Sequence, residues 1–189
     1  MGSIPRMSFI VSLLIALSVT AHADVITDWN DQVVAAGVQE RQAPFVHTRS
    51  VAIVHVAMFD AINSIDRRYT PYRVQVSPAA GTLREVAAAA AAHFTLIRLY
   101  PDQAKDFESL YQTSLAAVPD GAPKANGIQL GEQVAAEILA LRAKDGADAP
   151  NTYRPYTTAG TYVPTVLPVG SSWGQVTPCL LYTSDAADE

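Results

Sequence analysis

Residues 87–92 are six consecutive alanines, and His93, Phe94, Leu96, Ile97, Leu99 and Tyr100 follow them in helical phase. Alanine has no side-chain entropy to lose in a helix. Its small side chain also lets a second helix approach closely, so this stretch predicts a tightly packed helix rather than a surface one. The rest of the chain agrees with it. Before residue 150 the sequence carries almost no strand signal, and apolar residues recur at helical spacing. A first helix is predicted over 24–42 through Trp29, Val33, Val34 and Val38, with Pro44 ending it. A second is predicted over 46–65, where Val51, Val54, His55, Met58 and Ile62 form a stripe widened by Ala52, Ile53 and Phe59. Such a broad apolar surface belongs to a helix covered on most sides. Thr82-Leu83-Arg84-Glu85 fits a capping box that would start the alanine-rich third helix. Pro101 would stop that helix and open a fourth, over 101–118, carried by Phe107, Leu110, Tyr111 and Leu115. A Pro/Gly turn at 119–123 leads to a fifth helix over 124–144, with Ile128, Leu130, Val134, Ile138, Leu139 and Leu141 inward and Asp145-Gly146 closing it. The expected fold class is therefore all-α, a helical bundle of about five helices.

Residues 147–178 have a different texture. Pro150, Pro155, Pro164, Pro168 and Pro178 alternate with glycines and with Tyr153, Tyr156, Tyr162 and Trp173. This predicts an ordered aromatic loop, since aromatics at such density normally pack against something. A structureless stretch of that length is unusual inside a compact domain, which suggests an incomplete domain whose remainder covers the loop.

Both ends of the chain read differently from its middle. Arg6, the apolar run from Phe9 to Val19 and Ala21-His22-Ala23 make 1–23 a signal peptide, cleaved near Ala23, so the mature chain would begin at Asp24 and be exported to the periplasm or secreted. The run is shorter than the roughly 20 residues a bilayer span needs, and no later segment reads as a span. The last eleven residues, 179–189, match the translation of a sequencing-library transposon adapter, and they hold the only cysteine, Cys179. Taken that way, the natural sequence departs at Pro178, the mature chain has no cysteine, and disulfides have no part in it. The domain plan is then a leader over 1–23, a helical scaffold over 24–146, the loop over 147–178 and an artefactual tail. The formal charge of −5 falls to −3 once leader and tail are set aside. With no basic run anywhere, nucleic acid is not an expected partner.

Few residues invite a chemical role. His47 and His55 stand eight apart on nearly one face with Asp60 near, but metal binding would want His at i and i+4 or a third ligand in phase. The expectation is a hydrogen-bonded core histidine at 55 and a buried acceptor or cap at Asp60. Arg49 is expected to pair with Asp60 or with an acid from another helix, and His93 to serve packing. Ser50, Ser64 and Ser77 lie in no nucleophile elbow, and there is no glycine-rich phosphate loop. Lys144 with Arg154-Pro155 is a weak oxyanion pair, better read as a helix-end lysine and a loop arginine. Glu132 and Glu137 read as one solvated helix side.

Four stretches carry a resemblance. They are residues 49–65, from Arg49-Ser50-Val51 to Asn63-Ser64-Ile65 and on to Tyr69-Thr70-Pro71-Tyr72; the alanine run with Leu99-Tyr100-Pro101; Gly127-Ile128-Gln129-Leu130-Gly131-Glu132 with Arg142 and Asp145-Gly146; and Trp173-Gly174-Gln175-Val176-Thr177-Pro178. In this order they resemble the N-terminal half of bacterial vanadium-dependent haloperoxidases, relatives of the type 2 phosphatidic acid phosphatases. The resemblance implies an all-α fold and, for the full-length parent, peroxide-driven halide oxidation at bound vanadate, or phosphoester hydrolysis as in the phosphatases. It places the catalytic residues in a C-terminal half, in Lys-x6-Arg-Pro, Pro-Ser-Gly-His and later Ser-Arg and His motifs that do not occur here. The spacing from Lys144 to Arg154-Pro155 is wrong for the first. No catalytic, cofactor-binding or metal residue carries over, and the fragment alone is expected to be inactive, with vanadate a cofactor of the parent only. The implied partners are the missing C-terminal half of the same chain and, in the parent, a small-molecule substrate; a homo-oligomer is compatible with the sequence. The competing expectation is a non-enzymatic helical module whose loop from Tyr153 to Trp173 captures a ligand or partner.

Overall fold

The computed structural model describes residues 24–166 and 168–179; the predicted leader and all but the first residue of the predicted tail lie outside the described residues. Among those described, five α-helices and two short 3-10 turns form the fold: α1 Val25–Gln39, α2 Pro44–Asp66, α3 Arg84–Leu99, α4 Ala104–Ala116 and α5 Ala122–Arg142, with turns at Pro101–Gln103 and Trp173–Gln175. No strand occurs among them, so the all-α reading holds.

α3 is the central helix, and its alanines explain why. Ala89, Ala90 and Ala92 face one core shared with Trp29 and Val33 of α1, Val54 and Met58 of α2, and Phe107 and Tyr111 of α4. Ala87 and Ala91 face a second core with Ile53 and Ala57 of α2 and Leu130, Val134 and Ile138 of α5. The whole run is buried. Small side chains let neighbouring helices approach α3 closely on both faces, because interiors are close-packed and leave no slack. α5 meets α3 through Gly127 and Gly131. A Cβ on Gly131 would overlap the Ala87 carbonyl oxygen and crowd Ala90 Cβ, and one on Gly127 would press into Val86.

Helix ends depart from expectation in instructive ways. Pro44 does not end α1; it opens α2 at its first turn, where its missing N–H costs nothing. The capping box at Thr82 does not form. Thr82 Oγ1 donates 2.7 Å to the Ala79 carbonyl and so closes the preceding turn, leaving Leu83 as an uncapped start to α3. α5 begins at Ala122, taking in Pro123 from the predicted turn, and Leu141 is exposed rather than inward. Asp24, by contrast, caps α1 by accepting from the Thr27 amide at 2.9 Å.

Contrary to expectation, α2 is long and apolar enough to cross a membrane by length and composition. Its polar residues argue for a core helix instead. Asp60 accepts from the Tyr72, Arg73 and Val74 amides at 2.7, 2.9 and 2.9 Å. Asn63 accepts from the Tyr69 amide and donates to its carbonyl, and Ser64 accepts from the Val76 amide. These three side chains moor the irregular segment after α2 and supply the partners its backbone needs.

Candidate functional site

One polar node joins elements far apart in sequence. Arg49 projects from the second turn of α2, Arg142 is the last residue of α5, and Asp145 follows three residues on. Asp145 Oδ2 accepts from Arg49 Nε and from Arg142 Nη2, both at 2.6 Å. Its Oδ1 accepts from the Ala147 amide at 3.0 Å. Arg49 Nη2 also donates to the Arg142 carbonyl at 3.1 Å, satisfying one of the orphan carbonyls of the α5 C-terminus. Arg142 Nη1 and Nη2 reach the Pro178 and Thr177 carbonyls, and the Thr177 amide donates to the Asp145 carbonyl at 2.8 Å. The node therefore fastens the end of the aromatic loop to the seam between α2 and α5.

Its electrostatics follow from that geometry. Burial works to raise the Asp145 carboxyl, but the Arg49 hydrogen bond, the Ala147 amide and the charges of Arg49 and Arg142 outweigh it and hold the group below the ordinary carboxylate range. Two guanidinium groups against one carboxylate leave one excess positive charge. Among the described residues Arg142 Nε is buried without a hydrogen-bond partner.

Beside the node lies a cavity of about 470 Å³, walled by Phe45, Ala52, Trp173, Val176 and Pro178, with Arg49 on its rim. Trp173 packs on Phe45 with ring centroids 4.6 Å apart. It is the aromatic of the loop that finds a cover; Tyr156 and Tyr162 are 78% and 83% exposed, and Tyr153 is exposed too. The expectation that the loop aromatics pack is thus met at one end of the loop.

The other candidates separate. His55 Nε2 lies 3.0 Å from Asn30 Oδ1, as a core histidine should, and burial pushes its pKa down. His47 Nε2 sits 3.3 Å from the Val33 carbonyl, its ring lodged against Gly37. Asp60 is the buried acceptor already described, and Arg49 pairs with Asp145, not with it. His93 stacks on Tyr111 at 4.2 Å and meets Trp29 edge-on. Glu108 Oε2 lies 2.9 Å from His93 Nε2. Ser50 donates to the Val46 carbonyl, Ser64 accepts from Val76, and Ser77 accepts from Arg67. Arg154 is spent on the carbonyls of Asn151 and Tyr153 in the exposed loop, and Lys144, Glu132 and Glu137 are exposed. Among the described residues no group of three His, Cys, Asp or Glu side chains gathers at metal-holding distance.

Vanadate does not fit what is present. An oxyanion of that charge wants several convergent donors and a histidine at its centre. Here most donors of Arg49 and Arg142 are taken by Asp145 and by carbonyls, leaving Arg49 Nη1 and the buried Arg142 Nε, and no histidine stands beside them: His47 and His55 bond the Val33 carbonyl and Asn30, and His93 packs on Tyr111. The pairing of Arg49 with Asp145 across 96 positions has no local signature in the sequence; Arg142 and Asp145 at i, i+3 do, and that spacing was the available signal. Compared with known proteins, the chain matches no family model, no curated protein and no solved structure.

Proposed function

We propose that this chain is the N-terminal helical scaffold of an exported, vanadium-dependent haloperoxidase-like enzyme whose catalytic groups lie in sequence beyond Pro178. The observation that carries the reading is a convergence. The four stretches on which the resemblance rests are the ones that hold each other in place. Arg49 from the first, Arg142 and Asp145 from the third and Thr177 and Pro178 from the fourth meet in one node. The alanine run of the second accepts Gly131 of the third. Residues engaged in such mutual contacts serve a scaffold, which suits a half that positions a site without containing it. The exposed Tyr153, Tyr156, Tyr162, Val163, Val166 and Val169 of the loop are further support, since a complementary half would cover them.

The test is an activity measurement on this chain. With orthovanadate, hydrogen peroxide and bromide, bromination of a β-diketone by the chain should not exceed the protein-free rate. Vanadate-dependent turnover above that rate would overturn the assignment of the catalytic groups to the other half.

A further inference from the structure

The cavity beside the Arg49–Asp145–Arg142 node has the make-up of a small-molecule site. Its volume of about 470 Å³ falls in the range of roughly 300–1,000 Å³ usual for ligand pockets, which are mostly apolar with a few placed polar groups. Its apolar walls include Phe45, Ala52, Trp173 and Val176, and Arg49 and Arg142 both line it, with Thr48 and Thr177 beside them. Arg49 uses Nε on Asp145 and Nη2 on the Arg142 carbonyl. Among the described residues its Nη1 has no partner, and the side chain keeps 18% of its exposure. Asp145, at 2% side-chain exposure, lies behind the two arginines and is shared between them. The cavity therefore meets an excess positive charge with one spare guanidinium nitrogen. That is too little for a multiply charged oxyanion and enough for one carboxylate, which would gain a charge-assisted hydrogen bond.

We propose that this cavity binds a small organic monoanion, a carboxylate head on an apolar body, with the head on Arg49 Nη1 and the body between Phe45, Ala52 and Trp173. Cys179, the first residue of the tail, also lines the cavity, so the proposal concerns this chain as it stands. Trp173 packs on Phe45 in the cavity wall, so binding would be reported by Trp173.

Octanoate is the probe, with octanol and inorganic phosphate as controls. The full chain is titrated by calorimetry and by tryptophan emission. Octanoate should bind saturably, octanol at least about tenfold more weakly, and phosphate without saturation. Ala52→Phe fills the cavity without touching an ion pair; it should lower octanoate affinity at least about tenfold while the thermal melt of the unliganded protein is retained. Arg49→Gln should bring octanoate down to the octanol level, but it also loosens the node, so the Ala52 variant decides if that protein fails to fold. Equal binding of octanol and octanoate, tighter binding of phosphate, no octanoate binding, or octanoate binding unchanged in Ala52→Phe would each overturn the proposal.

Discussion

Asp145 is the residue on which most depends, because it is the single counter-charge for two arginines. Removing one member of a buried ionic group leaves the others uncompensated, which typically costs 3–5 kcal/mol. Arg49 stays partly in water, so Asp145→Ala should cost about 3 kcal/mol, the low end of that range, read as a shift of the urea midpoint at pH 7. The sign of the pH dependence is fixed as well. A carboxyl held below its ordinary value stabilises the fold above the unfolded-state pKa, and that contribution drains away as pH falls below about 3.8. His93 acts in the opposite part of the scale. Burial, its largest influence, lowers its pKa from 6.5 despite the pull of Glu108 and Glu132. The folded state therefore favours neutral His93, and its stabilising contribution is complete above pH 6.5 and shrinks as pH falls below that value. Burial acts on His55 the same way. Denaturation midpoints measured from pH 7.5 to 5 should fall, and His93→Gln should flatten the slope; an unchanged slope would remove His93 from the account.

At the scale of elements, the contact between α3 and α5 makes an unusual demand. Gly→Ala inside a helix ordinarily stabilises by up to about 1 kcal/mol. Gly131→Ala should instead destabilise by roughly 1–3 kcal/mol, since its Cβ would overlap backbone of the alanine run. A melting temperature at or above that of the parent chain would mean the helices are not so close. The same pair shows what was legible in the sequence. The run at 87–92 and the apolar stripes of 51–62 and 128–138 announce helices and their inner faces, because periodicity is a local signal. Helix ends were less legible, because Pro44 and Thr82 each have two local uses and tertiary context chooses between them. The partner of Arg49 was not legible at all, as nothing near either residue marks a pairing made by the fold.

For the whole molecule, the loop over 147–178 is held at its C-terminal end and largely bare before it. Trp173 on Phe45 and the carbonyls of Thr177 and Pro178 on Arg142 are its moorings. Trp173→Ala should speed proteolytic cleavage within 147–172 several-fold while leaving the helical melt nearly unchanged, because the loop adds little to either core. Equal cleavage rates would show that the aromatic pair does not hold the loop. The bare tyrosines and valines are what a complementary half would cover under the proposal that the chain is the scaffold part of a longer enzyme. The most direct measurement is to read the gene across codon 178 from unfragmented genomic DNA. If the proposal holds, the open frame continues past Pro178 into Lys-x6-Arg-Pro and Pro-Ser-Gly-His motifs. A frame that encodes Cys179 to Glu189 and then stops would contradict it.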